Sequence, residues 1–135
     1  MTQTQAKLKS ITLLAFVGDA VYELFVREHI SIDSDGSANA LHRKAISYVC
    51  ADAQAAAFEH ILPHLTHDEA DVARRGKNAH KTTIPRNVSP KSYRSATALE
   101  TVFGYLQLCG NVQRARELFL MIAQFHEENA QAFID

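Results

Sequence analysis

Apolar residues recur at helical spacing along almost the whole chain of 135 residues. The clearest stripe begins after Ser10, which can cap a helix, and continues to about Ile30. Its apolar members are Leu13, Leu14, Val17, Val21, Leu24 and Phe25. No segment of convincing length alternates apolar and polar residues as a half-buried strand would. The pattern therefore predicts an all-α fold.

Helix start and stop signals divide the chain into about six helices. Thr66 and Glu69 have the spacing of a capping box. Ser89 followed by Pro90 marks a helix start, and Gly110 marks a helix end. The predicted helices are 10–30, 38–49, 52–62, 66–75, 89–109 and 111 to near the C-terminus.

The length fits a single domain over residues 1–135, and we find no internal repeat. Residues 1–9 are polar, lack the apolar core of a secretion signal, and are expected to be flexible. The apolar run 11–17 is too short to cross a bilayer. We therefore expect a cytoplasmic protein with no membrane contact, in which Cys50 and Cys109 are small buried side chains rather than a disulfide or a metal pair.

The charges are unevenly distributed although the net charge is only −1. Residues 74–94, called the basic strip here, hold 7 of the 14 basic residues and no acid. Its basic members are Arg74, Arg75, Lys77, Lys81, Arg86, Lys91 and Arg94. Residues 76–89 are also predicted to form a long loop, and loops of that length within a compact domain are usually functional. A polyanion is the partner that such a strip would attract.

Two acids stand in otherwise apolar helical surroundings and are therefore expected to be nearly buried. Asp19 follows Gly18 in the first predicted helix, and Glu100 lies one turn before Gly104 in the fifth. A carboxylate in such a place costs free energy unless it has a basic partner or a cation, and both readings of Asp19 stay open. Glycine lowers helix propensity, so we expect another group to approach the backbone at Gly18. Together the two acids could hold Mg²⁺.

Glu23 lies one turn after Asp19, and Arg27 follows one turn later. That order and spacing favour a local ion pair between Glu23 and Arg27 over a metal-binding role for Glu23.

Several runs of residues resemble known motifs. Phe16-Val17-Gly18-Asp19-Ala20-Val21 resembles the signature helix of the ribonuclease III catalytic domain, and residues 98–104 resemble its second acidic motif. Residues 41–44, 74–79 and 93–97 resemble the Mini-ribonuclease III branch of that family. The resemblance extends over about residues 13–123, with the motifs in the family's order.

The resemblance implies a helical homodimer with a catalytic cleft between subunits. It implies magnesium-dependent cleavage of double-stranded RNA that leaves a 5′-phosphate and a 3′-hydroxyl, and maturation of the large-subunit (23S) ribosomal RNA precursor. Asp19 and Glu100 match the family's catalytic acids, both expected to hold Mg²⁺. Ala15 and Thr97 stand where full-length ribonuclease III has two further acids, which leaves the number of metal ions open.

The sequence has no counterpart of the double-stranded-RNA-binding domain of full-length ribonuclease III. We therefore expect the catalytic domain itself to bind RNA, through phosphates and 2′-hydroxyls. The predicted contacts are Arg74, Lys77, Asn78, Lys81 and Arg86. Arg94 could equally pair with an acid inside the fold. The alternative functions are a non-catalytic RNA-binding module in ribosome assembly and a helical module whose loop binds an acidic protein.

Overall fold

The structure is a computed structural model that describes residues 1–79 and 83–130. These residues form seven α-helices and one short 3₁₀ helix, and they contain no β-strand. The helices are α1 (Gln3–Lys7), α2 (Ile11–Asp33), α3 (Ala38–Val49), α4 (Ala51–Ile61), α5 (His67–Lys77), α6 (Pro90–Leu108) and α7 (Val112–Glu128). The predicted all-α class is confirmed.

Helices begin where the capping signals predict. The side chains of Ser10, Thr66 and Ser89 accept hydrogen bonds from backbone N–H groups in the first turns of α2, α5 and α6. The Glu69 side chain completes the capping box of α5 by accepting from the backbone N–H of Thr66. After α6, Gly110 adopts a φ of 80°, a conformation that favours glycine.

Residues 1–9, which we expected to be flexible, include α1 and contact the body of the protein. Ala6 is fully buried. The Arg75 guanidinium donates to the carbonyl oxygens of Lys7 and Lys9 at 2.6 Å and 3.1 Å. The Lys7 ammonium lies 2.8 Å from the Asp68 carboxylate. These contacts attach the N-terminal segment to α5.

Helix α6 is the central helix and packs against α2, α4 and α5. Every residue from Ser95 to Leu106 is buried except Glu100, which is half-buried. Aromatic rings from three helices fill the adjoining core: the Tyr22 ring lies edge-on to that of Phe103, and the Phe25 ring stacks on that of Phe119. Among the described helices, none is both long enough and apolar enough to cross a membrane. The thiols of Cys50 and Cys109 are free and half-buried.

Helices α2 and α6 approach each other closely in the core. A Cβ placed on Gly18 would lie 1.6 Å from the carbonyl oxygen of Glu100, and one placed on Gly104 would lie 1.8 Å from that of Leu14. The two backbones are therefore in direct contact, and a side chain at either glycine would force them apart. The expected close approach at Gly18 is confirmed.

An ion pair between the half-buried Arg114 and the buried Glu69 joins the starts of α5 and α7. The Arg114 guanidinium donates to both carboxylate oxygens of Glu69, at 2.9 Å and 3.0 Å, and to the carbonyl oxygen of His64 at 2.7 Å. Loss of Arg114 would leave the buried Glu69 carboxylate without compensation. The sequence indicated Glu69 only as a cap, because Arg114 is distant in the chain.

The Tyr22 hydroxyl is buried and has no hydrogen-bond partner in the described part of the chain. Tyr22→Phe should therefore raise the free energy of unfolding at pH 7, by about 0.5–1 kcal/mol, since an unsatisfied buried polar group is removed. Burial also raises the pKa of Tyr22 above its ordinary value of 10.0. As pH rises above 10.0, the Tyr22 hydroxyl ionises in the unfolded protein before it does so in the folded protein, so the free energy of unfolding falls. The Tyr22→Phe variant lacks this hydroxyl and should lose less stability over the same pH range. Urea denaturation at pH 7 and pH 10.5 measures both effects; destabilisation at pH 7 would contradict the assignment.

Candidate active site

The two candidate acids are neighbours at the α2–α6 crossing. Asp19 directly follows Gly18 in α2, and the carbonyl group that touches Gly18 belongs to Glu100 in α6. Residues far apart in the sequence are thus held side by side by two helices whose backbones touch. The crossing glycines fix this proximity because a larger residue at either position would separate the helices.

The two carboxylates differ in exposure. Glu100 is half-buried, whereas Asp19 is exposed, contrary to the expectation that both acids are nearly buried. Asp19 lies on the flank of α2, between the buried face that carries Gly18 and Tyr22 and the outer face that carries Phe16 and Ala20. The apolar neighbours of Asp19 in the sequence therefore do not enclose it. It makes no hydrogen bond or ion pair with any described residue, so a basic partner within the fold does not account for it.

The residues one turn before each acid add no carboxylate. Thr97 is buried, and its hydroxyl donates to the carbonyl oxygen of Tyr93 at 3.0 Å. Ala15 contributes only a methyl group. Glu23, one turn after Asp19, pairs with Arg27 at 3.1 Å, which confirms the predicted local ion pair.

Asp19 and Glu100 are a donor set that fits a hydrated magnesium ion. Mg²⁺ prefers oxygen ligands and commonly binds through one or two carboxylates while keeping several waters. Within residues 1–79 and 83–130, no group of three or more His, Cys, Asp or Glu side chains is arranged around a common point. Such a site would therefore rely on few protein ligands, and the exposure of Asp19 leaves room for water.

Some residues of the basic strip are helical or form contacts within the fold. Helix α5 continues through Lys77, so Gly76 and Lys77 are helical and the predicted loop 76–89 starts later than expected. The Arg74 guanidinium lies 2.6 Å from the Asp71 carboxylate, and this hydrogen bond lowers the pKa of Asp71. The Lys77 ammonium lies 3.7 Å from Glu59 and 5.9 Å from the centre of the Phe58 ring.

Other members of the strip are available to a partner. Arg86, Lys91 and Arg94 are exposed and form no ion pair or hydrogen bond with the residues described here. The alternative in which Arg94 pairs with an acid inside the fold is therefore not observed. Asn78 is exposed at the end of α5. Lys81, the remaining predicted RNA contact, lies outside the described residues.

Comparison with known proteins shows the family to which the chain belongs. The family model for the ribonuclease III domain matches residues 12–111, which include both acids and the crossing glycines. In a comparison with solved structures, a crystal structure of a Fusobacterium nucleatum protein superimposes with a TM-score of 0.80 and 26% identity, covering 87% of this chain and 98% of that one. The chain belongs to the ribonuclease III family, and this membership makes it an endoribonuclease.

Relatives named Mini-ribonuclease 3 match the chain over most of its length. The chain is 39% identical to Mini-ribonuclease 3 of Clostridium tetani over 96% of its own length and 87% of the relative. It is 44% identical to Mini-ribonuclease 3 of Symbiobacterium thermophilum, over 84% and 88% of the two chains. The resemblance to the Mini-ribonuclease III branch is thereby confirmed.

Proposed function

We propose that this protein is a magnesium-dependent endoribonuclease that cuts double-stranded RNA as a homodimer and matures the large-subunit (23S) ribosomal RNA precursor in the cytoplasm. The observation that carries the proposal is the position of Asp19 and Glu100 on neighbouring turns of α2 and α6, at the point where the two backbones touch. The similarity to Mini-ribonuclease 3 supplies the substrate class.

Asp19 and Glu100 would hold the magnesium ion. When bound, such an ion supplies positive charge that activates water and stabilises negative charge on a phosphate. Glu100 lies on helix α6 among buried residues, so packing on both sides holds the backbone that carries its carboxylate. Asp19 is open to solvent, so water and an RNA phosphate can both approach it. Both carboxylates can accept hydrogen bonds from the attacking water and orient it toward the phosphorus.

A second copy of the chain is the partner that the outer face of α2 fits. Leu13, Phe16, Ala20 and Leu24 follow one another at spacings of three and four residues, so they form one stripe. Leu13 is 37% exposed, Phe16 79% and Leu24 60%. A contiguous exposed apolar stripe marks an interaction surface.

The position of Asp19 relates this stripe to catalysis. Asp19 flanks the stripe one turn beyond Phe16, so two copies joined through their stripes would bring both acid sites to the edges of one interface. In a twofold dimer the two sites are related by symmetry, which suits a substrate with two antiparallel strands.

Phe16→Lys should convert the dimer to a monomer at micromolar concentration, because it places a charge in the centre of the apolar stripe. Light scattering coupled to size-exclusion chromatography measures the mass. Ile32→Lys is the matched control: Ile32 is 75% exposed on the same helix but lies off the stripe. A Phe16→Lys protein that stays dimeric, or an Ile32→Lys protein that dissociates equally, would contradict this interface.

The proposed activity is tested by incubating a duplex from the ribosomal RNA precursor with the protein, with Mg²⁺ and with EDTA. We expect cleavage with Mg²⁺ only, giving 5′-phosphate and 3′-hydroxyl ends. Binding of the duplex without any cleavage in Mg²⁺ would instead identify a non-catalytic RNA-binding module. Absence of both binding and cleavage at low salt would overturn the proposal.

A further inference from the structure

A cavity of about 240 Å³ lies between the end of α5 and the beginning of α6. Its lining includes Lys77, Asn78, Ile84, Tyr93, Arg94 and Thr97. These residues come from two helices and the segment between them. The cavity therefore brings together side chains that the sequence separates, and it does so within the basic strip.

The two cationic side chains of the cavity, Lys77 and Arg94, differ in their contacts within the fold. The Lys77 ammonium is already near the Glu59 carboxylate and over the Phe58 ring. Arg94 is exposed and has neither a hydrogen-bond nor an ion-pair partner among the described residues. Arg94 is thus the cation of this cavity that can engage a ligand without first breaking a contact within the fold.

The cavity lies on the side of α6 that leads to Glu100. Tyr93, Thr97 and Glu100 are spaced by four and three residues, so they share one face of the helix. At a rise of about 1.5 Å per residue, Thr97 lies about 4.5 Å along the helix axis from Glu100, and Tyr93 lies about 10 Å from it. A group bound in the cavity would be close to the proposed cleavage site.

We propose that this cavity binds a backbone phosphodiester of the substrate strand, with Arg94 as the residue that grips it and Asn78 as a neutral hydrogen-bond donor. A planar guanidinium can donate two parallel hydrogen bonds to a phosphate, which fixes orientation as well as charge. Side chains cannot read the paired bases through the deep, narrow major groove of A-form RNA, so a protein contacts mainly its phosphates and 2′-hydroxyls. Of these two groups, the phosphate is the anion that a guanidinium would bind. The site would set which phosphodiester faces Asp19 and Glu100, and it rests on the proposed function.

The test measures duplex RNA binding in EDTA, where no cleavage occurs, over a range of salt concentrations. Arg94→Gln should weaken binding about tenfold, as expected for a charged hydrogen-bonded contact. It should also make the slope of log K against log salt less steep by about 1, because one phosphate contact is lost. Asn78→Ala should weaken binding without changing the slope, and Arg94→Lys should restore the slope and only part of the affinity.

Lys91→Gln is the matched control. Lys91 is exposed in the first turn of α6, has the same charge as Arg94 and does not line the cavity. An equal change of slope in Lys91→Gln and Arg94→Gln would show that the two charges attract RNA only through the overall electrostatic field, and it would overturn the phosphate site. An unchanged slope in Arg94→Gln would overturn it as well. Either of these two results would leave the proposed function supported, provided that the wild type cleaves the duplex in Mg²⁺. If the wild type does not bind the duplex at all, the phosphate site and the proposed function are both contradicted.

Discussion

Asp19→Asn and Glu100→Gln are each expected to slow duplex cleavage by about a hundred- to a thousandfold, the scale on which loss of one preorganised electrostatic group is felt. Each change keeps the shape of the side chain and removes the negative charge that would hold Mg²⁺. Asp19 is exposed and has no partner among the described residues, so its change to Asn should not disturb the fold. Single-turnover cleavage at saturating protein measures the chemical step.

Glu23→Gln is the control for Asp19→Asn. Glu23 lies one turn away on the same helix, but its carboxylate is paired with Arg27. We expect Glu23→Gln to keep near-normal cleavage. Circular dichroism and the solution mass should match the wild type for all three variants. Full cleavage by Asp19→Asn or Glu100→Gln would remove that residue from the mechanism.

Gly18→Ala is expected to lower the free energy of unfolding by about 3 kcal/mol, at the upper end for overpacking. The new methyl carbon would lie 1.6 Å from a backbone carbonyl oxygen, which no change of rotamer can relieve. The helices would have to separate at the point where they carry Asp19 and Glu100, so cleavage should fall as well. In an exposed helix the change from Gly to Ala would stabilise the protein by about 1 kcal/mol. A destabilising effect at Gly18 would therefore show that the new methyl group collides with α6.

Gly36→Ala is the matched control for Gly18→Ala. Gly36 lies between α2 and α3, and a Cβ there would meet only the Ala40 methyl and the Ser34 hydroxyl, at 3.2 Å and 3.3 Å. We expect a change within about 0.5 kcal/mol for this exposed position. Urea denaturation followed by circular dichroism compares the two variants. Equal stability of Gly18→Ala and the wild type would contradict the tight crossing.

Features that depend on neighbouring residues could be predicted from the sequence. A capping side chain acts on an N–H group three residues away, so Ser10, Thr66 and Ser89 could be recognised directly. The Glu23–Arg27 pair follows from the spacing of one helical turn. Gly18 and Gly104 were visible as costly residues in helices, although the sequence does not say which backbone each one meets.

Features that depend on tertiary contacts could not be predicted in this way. Arg75 was counted as one more cation of the basic strip, but its guanidinium donates to the carbonyl oxygens of Lys7 and Lys9, which are remote in the chain. Arg114 gave no signal of its pairing with Glu69. Asp19 was expected to be nearly buried because its sequence neighbours are apolar, but several of those neighbours face outward.

The glycine contacts at the α2–α6 crossing also limit how such an enzyme can diversify. The residues that set the spacing of the two acids are those on which folding depends, so changes there would be removed by selection before a new activity could appear. In the described part of the connection between α5 and α6, Asn78 and Arg86 are exposed, so their side chains contribute little to the packing of the fold. Variation in RNA preference among relatives should therefore accumulate in that connection, while the paired acids and their glycines persist.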